Sequence, residues 1–230
     1  MNKIQLNKNK IIALFSSKGN DSKLYLYEND AKLLKIFKKL PTEQLDNKRN
    51  KIEQLKELQS DIELLDLVYS GDNFIGYTMK RYDYNNLSSF TSKKEKIKHL
   101  KMLRDKVEDF NKKGIFIGNF NETNLLLSPD KKNIKICAID NLKVDDIDFD
   151  IETENIRRYK RKGANPEFID SYCFNMFTLA YFAKYAAGYF DIYDFELPRE
   201  FRTYENEKIL YDMKHLTKNY KKDYFIDHLK

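Results

Sequence analysis

Two stretches of this chain are the most informative about its fold: residues 115–127, which read IFIGNFNETNLLL, and residues 134–141, which read IKICAIDN. The first stretch begins with an apolar run, turns polar after Gly118 and becomes apolar again at 125–127. The turn-forming sequence PDKKN separates it from the second stretch, which contains Asp140 near its end. This pattern predicts a polar loop containing Asn119 and Asn124, followed by two short strands with Asp140 after the second.

Helices are predicted on both sides of this stretch. Upstream, an apolar stripe at helical spacing predicts a helix that ends before Gly114, a candidate for its C-terminal cap. The stripe consists of Leu100, Leu103, Val107 and Phe110. Downstream, Asp170 precedes an apolar helix predicted over 172–187, and the pattern of 205–229 is typical of an amphipathic helix.

The N-terminal third is rich in residues that favour β-structure. One charged segment within it, 42–59, carries its apolar residues on one face and predicts a helix. The segments 62–69 and 74–79 predict a hairpin joined by a turn at 70–73. Three further β-rich runs, separated by turn-prone residues, lie at 11–15, 24–27 and 33–37. A strand-rich part is therefore expected to precede a mostly helical part.

Together these segments resemble the protein kinase superfamily. The loop and the second strand are similar to the kinase catalytic loop H-R-D-x-x-x-x-N and to the strand that ends in D-F-G. Residues 170–176, which read DSYCFNM, resemble the start of the kinase F helix. The variant GNFNETN at 118–124 is most similar to bacterial kinase-like proteins that carry G-D-x-N-x-x-N. The resemblance covers residues 11–187 and is most specific between 100 and 180.

The resemblance implies an α+β, two-lobed protein kinase-like fold. Residues 1–82 are expected to form an N-terminal lobe, a small antiparallel β-sheet with one helix. Residues 83–230 are expected to form a mostly helical C-terminal lobe that contains the catalytic loop and the metal-binding strand. Asp170 takes the position of a structural anchor, which in the family holds the catalytic-loop backbone from inside this lobe.

The same resemblance implies ATP and Mg²⁺ as cofactors. Asn124 and Asp140 occupy the positions of the family's metal ligands, and Lys35 matches the phosphate-binding lysine of the V-A-I-K strand. Further contacts with the nucleotide are expected from Gly19, Ser22 and Met79.

Two features of the N-terminal part depart from the kinase pattern. The glycine-rich loop G-x-G-x-x-G is reduced to Gly19 alone. The glutamate that pairs with the phosphate-binding lysine has no clear counterpart. Glu53 is the best candidate for the partner of Lys35, and another register of the same helix puts Lys51 or Arg49 in that position.

The position of the catalytic base is the decisive departure. The family's catalytic Asp aligns with Asn119, whose amide accepts no proton from a substrate hydroxyl. Because general-base steps contribute on the order of 10²–10⁴-fold, the chain as written is expected to be inactive or very weak. A natural pseudokinase, acting as a nucleotide-binding or protein-binding regulatory scaffold, explains Asn119. Replacement of the Asp in an active kinase explains it equally, and we favour an active parent enzyme because Lys35, Asn124 and Asp140 all suit Mg–ATP.

The target of such an enzyme follows from the resemblance alone. A Ser or Thr hydroxyl on an unknown protein substrate is expected, with an unknown regulatory protein as the other possible partner. Aminoglycoside and choline kinases share the Asp-x-x-x-x-Asn spacing, so a small-molecule substrate stays open as an alternative.

Composition narrows the remaining classes of function. The chain has 42 Lys and Arg against 36 Asp and Glu, a net charge of +6. Since the cations are scattered among acids along the whole chain, nucleic acid is not expected as a partner. If the protein did bind nucleic acid, its affinity would fall steeply as the salt concentration rises. The two cysteines, Cys137 and Cys173, suit a reducing compartment. With no segment resembling a membrane span, a cytoplasmic protein is expected.

Overall fold

The computed structural model describes residues 1–16, 21–28, 30–58, 61–87, 92–150, 152–183, 196–215 and 222–229. Over these residues the protein is an α+β structure with five α-helices and a mixed six-stranded sheet. The chain divides into two compact units, Met1–Asp83 and Tyr84–Lys230. None of the helices in the described ranges is long and apolar enough to cross a membrane.

The first unit contains the six-stranded sheet and one helix. The strand order across the sheet is β1-β5-β6-β4-β3-β2. The strands are β1 (Asn2–Gln5), β2 (Ile11–Ser16), β3 (Ser22–Tyr27), β4 (Lys32–Phe37), β5 (Leu64–Ser70) and β6 (Asn73–Lys80). Tyr27, Leu34 and Val68 form the centre of an apolar cluster on this sheet. Helix α1 (Thr42–Glu57) packs against β5 and β6.

The prediction of an antiparallel sheet is wrong at one edge of the sheet. Strand β1 pairs parallel with β5, with Asn2 opposite Asp66, whereas the other pairings in the sheet are antiparallel. The sequence analysis did not predict β1, whose residues NKIQ contain one apolar side chain. An edge strand is held mainly through its backbone, so it carries little of the alternation that reveals a buried strand.

The described residues of the second unit form two long and two shorter α-helices and five short strands. Its helices are α2 (Lys93–Lys112), α3 (Glu154–Arg161), α4 (Pro166–Ala183) and α5 (Tyr204–His215). Its strands are β7 (Asn85–Asn86), β8 (Ile115–Phe116), β9 (Leu125–Leu127), β10 (Ile134–Ile136) and β11 (Lys143–Val144). Helix α2 packs on α4. The stripe predicted for α2 is confirmed as a buried face, since each of its four side chains is at most 1% exposed.

Two helix boundaries differ from the predictions. Helix α4 begins at Pro166 rather than at 172, because Asn165 Oδ1 accepts the amide of Phe168 at 2.8 Å and proline suits a first helical position. Residues 184–187 of that prediction lie outside the described residues. The prediction of one helix over 205–229 is wrong for the described residues after His215. Residues 222–224 are not helical, and Phe225–His228 form a 3-10 turn.

Candidate functional site

The loop after α2 has a backbone shape that depends on Gly118. Strand β8 leads into the loop and pairs antiparallel with β11, with Phe116 opposite Lys143. Gly118 has a φ of +62°, which favours glycine, and a Cβ there would lie 2.6 Å from the Phe149 ring. A side chain at 118 would therefore add backbone strain and press on the ring of Phe149, and glycine avoids both.

Asp170 holds this loop from within α4. Its Oδ1 accepts hydrogen bonds from the backbone amides of Ile117 at 2.8 Å and Gly118 at 2.6 Å. Asn111, at the end of α2, donates from its side-chain nitrogen to Asp170 Oδ2 at 2.9 Å when its amide is oriented with nitrogen toward this oxygen. The predicted anchor residue and the loop are thus in direct contact, and α2, α4 and the loop meet at one carboxyl group.

Burial has the largest effect on the pKa of the Asp170 carboxyl group. The residue is completely buried, and this burial raises the pKa of its carboxyl from 3.8 to about 7. The amides of Gly118 and Ile117 oppose the rise in pKa because they favour the ionised form, and the charge of Lys222 acts in the same direction.

A small recess lies beside the loop and brings Asn119 and Asn124 together. Asn121 and Asn141 also line it, and the rest of the lining is apolar, from Ile117, Phe120, Leu125, Ile136, Ala138 and Leu142. The recess has room for little more than a water-sized group. The loop closes around it through two backbone bonds: the amide of Asn124 donates to Asn121 O, and Asn124 O accepts from Cys137, both at 2.9 Å.

Asp140 follows β10 as predicted but does not line the recess. It lies in the 3-10 turn Ile139–Asn141 and is completely buried. Since a 3-10 turn has about three residues per turn, neighbouring side chains leave it in different directions. Asn141 reaches the recess and Asp140 does not. The metal-binding role assigned to Asp140 stays a prediction.

In the first unit, Lys35 lies on the central strand β4, where it pairs with Leu24 of β3 and Tyr77 of β6. It is half-buried, and its Nζ lies 5.9 Å from the centre of the Phe37 ring. Of the residues expected to contact nucleotide, Ser22 and Met79 are buried, at 6% exposure each. Ser22 Oγ donates to Asp21 Oδ1 at 3.1 Å. Gly19 lies outside the described residues.

Helix α1 buries lysine side chains on its packed face. Lys48 and Lys51 are buried together with Ile52 and Leu55, whereas Glu53 is half-exposed. Lys48 forms an ion pair with Asp21 at 3.1 Å. Lys51 therefore lies on the same packed side of the helix as Ile52 and Leu55. The pairing of Glu53 with Lys35 stays a prediction.

Helix α3 carries the densest group of cations in the described part of the chain. Its packed side consists of Ile156 and Tyr159, and its other side is exposed. The exposed cations are Arg157, Arg158, Lys160, Arg161 and Lys162. Acids share this surface, since Lys160 pairs with Asp148 and Glu152, and Arg157 pairs with Glu154 at 3.4 Å.

The sequence analysis missed Asn111 and Asn141. The sequence did contain a pattern that indicates Asn111, because it is a polar residue four positions after Val107 on the apolar stripe of α2. No sequence pattern indicated Asn141, because the 3-10 turn at 139–141 determines that Asn141 rather than Asp140 lines the recess. Among the residues that the structure describes, no group of three His, Cys, Asp or Glu side chains is arranged to hold a metal ion.

These features define an α+β protein whose second unit fixes a polar, glycine-dependent loop on a buried aspartate. Neither the protein-family models nor the curated protein sequences compared with the chain gave a match.

Proposed function

We propose that this protein is a kinase-like, ATP- and Mg²⁺-binding phosphotransferase of the Ser/Thr kinase type that is impaired by Asn119. The observation that carries the proposal is the bonding of the loop amides of Ile117 and Gly118 to the buried Asp170. This contact supports the role that the resemblance assigns to Asp170, which the motif alone left as an expectation.

The proposed roles of the residues follow from phosphoryl-transfer chemistry. Mg²⁺, when bound, neutralises charge on the phosphates. Asn124 and Asp140 would hold it; Asn124 lines the recess, which has room for about one water, whereas Asp140 does not line it. Lys35 supplies positive charge for the phosphates. Asn119 can hold a substrate hydroxyl by a hydrogen bond, but its amide accepts no proton from it.

Nucleotide binding is tested by thermal unfolding with Mg–ATP, with ATP and EDTA, and with neither. At 100 times Kd a ligand adds about 2.7 kcal/mol to the free energy of unfolding, which for a chain of this size raises Tm by several degrees, at about 2–4 °C per kcal/mol. Lys35→Met should reduce the shift. The matched control is Lys38→Met, because Lys38 is exposed and follows the end of β4 directly. No shift at millimolar Mg–ATP contradicts nucleotide binding.

Catalysis is tested separately by Asn119→Asp. Restoring a carboxylate at the base position should raise phosphate transfer to the protein itself or to Ser/Thr peptides by about 10²-fold or more. Asn119→Gln, which changes the side chain without adding a base, is the control. A protein that binds Mg–ATP but shows no transfer after Asn119→Asp contradicts the proposal of an active parent enzyme.

A non-catalytic regulatory scaffold is the second candidate. It is favoured by the lining of the recess, whose polar side chains are amides and include no carboxylate. Such a lining has no group that takes up a proton at neutral pH. This candidate predicts that Asn119→Asp leaves transfer absent and that the protein binds a partner protein equally with and without nucleotide.

A further inference from the structure

Helix α3 is held from its inner side by aromatic and aliphatic packing. Ile156 and Tyr159 are buried, and the Tyr159 ring lies 5.3 Å from the ring of Phe168 and 4.4 Å from that of Tyr172, both in α4. Thr153 caps the start of the helix, since its side-chain oxygen accepts the amide of Ile156 at 3.3 Å. The side chains on the outer side of α3 are therefore carried by a helix whose position the core fixes.

The outer side of this helix is a cationic face, which consists of Arg157, Arg158, Arg161 and Lys162. All four residues are exposed. Arg158 and Arg161 are three residues apart, so their side chains are neighbours on the helix surface. Within the described ranges, Arg161 and Lys162 form no ion pair. A surface that gathers several guanidinium groups in this way favours an anionic ligand.

The acids beside α3 indicate which kind of anion fits. Glu154 pairs with Arg157 at 3.4 Å, and Asp148 and Glu152 pair with Lys160, so carboxylates already bind at this helix. The segment 145–154 contains six acids. They would repel a long phosphate backbone or an anionic membrane, which extend across the whole surface, whereas a short peptide can contact the cationic face alone. An acidic peptide therefore fits this face better than nucleic acid or lipid.

The cationic face lies one helix away from the loop that contains Asn119. Ile156 approaches this loop from the inner side of α3, since a Cβ at Gly118 would lie 3.0 Å from Ile156 Cδ1. A helix with its side chains is about 10–12 Å across, and an extended chain covers about 3.3 Å per residue. About three or four residues therefore separate a peptide segment on the outer side of α3 from one at the loop.

We propose that the cationic face of α3 binds an acidic segment of the protein substrate, about three or four residues from the Ser or Thr that receives phosphate. The inference rests on the proposed function, to which it adds a substrate class. The arginines position the substrate and take no part in the chemistry. Binding of the acidic segment needs neither nucleotide nor a base at position 119.

Binding is tested by fluorescence anisotropy with the full chain and two labelled peptides. One peptide carries a serine followed, after about three residues, by a run of glutamates, and the other has glutamine in place of each glutamate. Arg158→Glu with Arg161→Glu reverses charge on the cationic face. Lys98→Glu with Lys101→Glu is the matched control, because it makes the same change of charge at the same spacing on exposed residues of α2. Circular dichroism compares the folding of the variants, and Arg158→Gln with Arg161→Gln removes the charges without reversing them.

The wild-type chain should bind the glutamate peptide at least about tenfold more tightly than the glutamine peptide. Added salt should weaken this binding, because exposed ion pairs are screened. Reversing the two arginines should weaken it by about tenfold or more, replacing them with glutamine should weaken it less, and the α2 control should change it by no more than about twofold. Equal binding of the two peptides, or equal losses in the α3 and α2 variants, overturns the proposal.

Nucleic acid and anionic lipid are tested with the same variants. The probes are single-stranded oligothymidylate and vesicles of phosphatidylcholine with phosphatidylserine. The proposal is overturned if either probe binds the wild-type chain more tightly than the glutamate peptide and loses this binding when Arg158 and Arg161 are replaced by Glu.

A transfer assay separates the docking surface from the proposed function. In Asn119→Asp, the γ-phosphoryl group of ATP should move to the serine oxygen of the glutamate peptide, with ADP as the other product and the hydroxyl proton taken up by the introduced carboxylate. Adding Arg158→Glu and Arg161→Glu should raise KM for this peptide about tenfold and leave kcat nearly unchanged, because binding alone is lost. Arginine-dependent peptide binding without transfer contradicts the proposed transferase and leaves the docking surface standing. Equally efficient transfer to both peptides overturns the docking surface and supports the proposed function.

Discussion

Oδ1 of Asp170 accepts the backbone amide of Gly118 at 2.6 Å, although 52 residues separate the two along the chain. The same oxygen accepts the amide of Ile117 at 2.8 Å. Both amides and the carboxyl group are buried, so neither side can exchange this contact for water. The position of the loop that contains Asn119 therefore depends on one side chain of α4.

Replacing Asp170 with Ala should destabilise the protein more than replacing it with Asn. Alanine leaves two buried amides without an acceptor, at about 1–3 kcal/mol each, so a loss of about 2–6 kcal/mol is expected. Asn keeps an oxygen that can accept both amides. Denaturant unfolding at pH 5 measures both losses, and Asp72→Asn, at an exposed turn residue, controls for the change of charge. An equal loss for Ala and Asn contradicts the role of these hydrogen bonds.

The stability of the wild-type protein should fall relative to Asp170→Asn as the pH rises from about 4 to about 7. Burial raises the pKa of Asp170 from 3.8 to about 7. Within this range the folded state holds a proton that the unfolded state has lost, so the stabilisation present at low pH disappears as the pH approaches the folded pKa. The slope contributed by one group is at most about 1.4 kcal/mol per pH unit.

This pH dependence is measured by urea unfolding of both proteins between pH 4 and pH 8. The difference between their free energies of unfolding should change across the range and level off above pH 7. If the difference between the two free energies of unfolding stays constant, Asp170 is ionised in the folded protein over this pH range. In that case the three donors from Ile117, Gly118 and Asn111 lower its pKa by as much as burial raises it.

Gly76→Ala should disrupt the first unit much more than Gly71→Ala. A Cβ at Gly76 would lie 1.9 Å from the carbonyl oxygen of Lys35, so β6 and β4 would have to separate. We expect a loss of at least about 3 kcal/mol, at the upper end of the range for overpacking. Gly71 has open space around it and a φ of +60°, so its substitution should cost only about 1–2 kcal/mol of backbone strain.

The two glycine variants are compared by denaturant unfolding and by circular dichroism. If Lys35 binds phosphate as proposed, Gly76→Ala should also weaken the response to ATP, because the clash displaces the backbone of Lys35. Similar losses of stability in the two variants would contradict the close packing of β4 and β6, in which a Cβ at Gly76 would lie 1.9 Å from the carbonyl oxygen of Lys35.

Asn175→Ala should release the C-terminal segment from α4. The side chain of Asn175 donates to the carbonyl of Asp223 at 2.9 Å and accepts the amide of Phe225 at 3.1 Å. Loss of both bonds at a buried site should cost about 2–4 kcal/mol. Hydrogen exchange at the Phe225 amide should become faster, while Asn133→Ala, at an exposed turn residue, should leave it unchanged. Unchanged protection of Phe225 in Asn175→Ala contradicts this role.

The same contact explains where the prediction for the C-terminal segment failed. Residues 205–229 have an amphipathic pattern, but the backbone of 223–225 bonds to Asn175 instead of continuing a helix. Local periodicity records which side chains are apolar, and it contains no information about a polar partner 48 residues away. The stripe of α2 was predicted correctly for the opposite reason, since its burial is expressed in its own spacing.

Spacing and residue type alone predict the helices with regular apolar stripes, the hairpin of β5 and β6, and a polar loop with Asn119 and Asn124 between a helix and a strand pair. These features follow from propensities and spacings within a few residues. The packing of the folded chain, in contrast, sets that Asn141 rather than Asp140 lines the recess and that Lys51 lies on the buried face of α1. Both outcomes depend on the direction in which a side chain leaves its element once that element is packed, and the packing is set by contacts between distant parts of the chain.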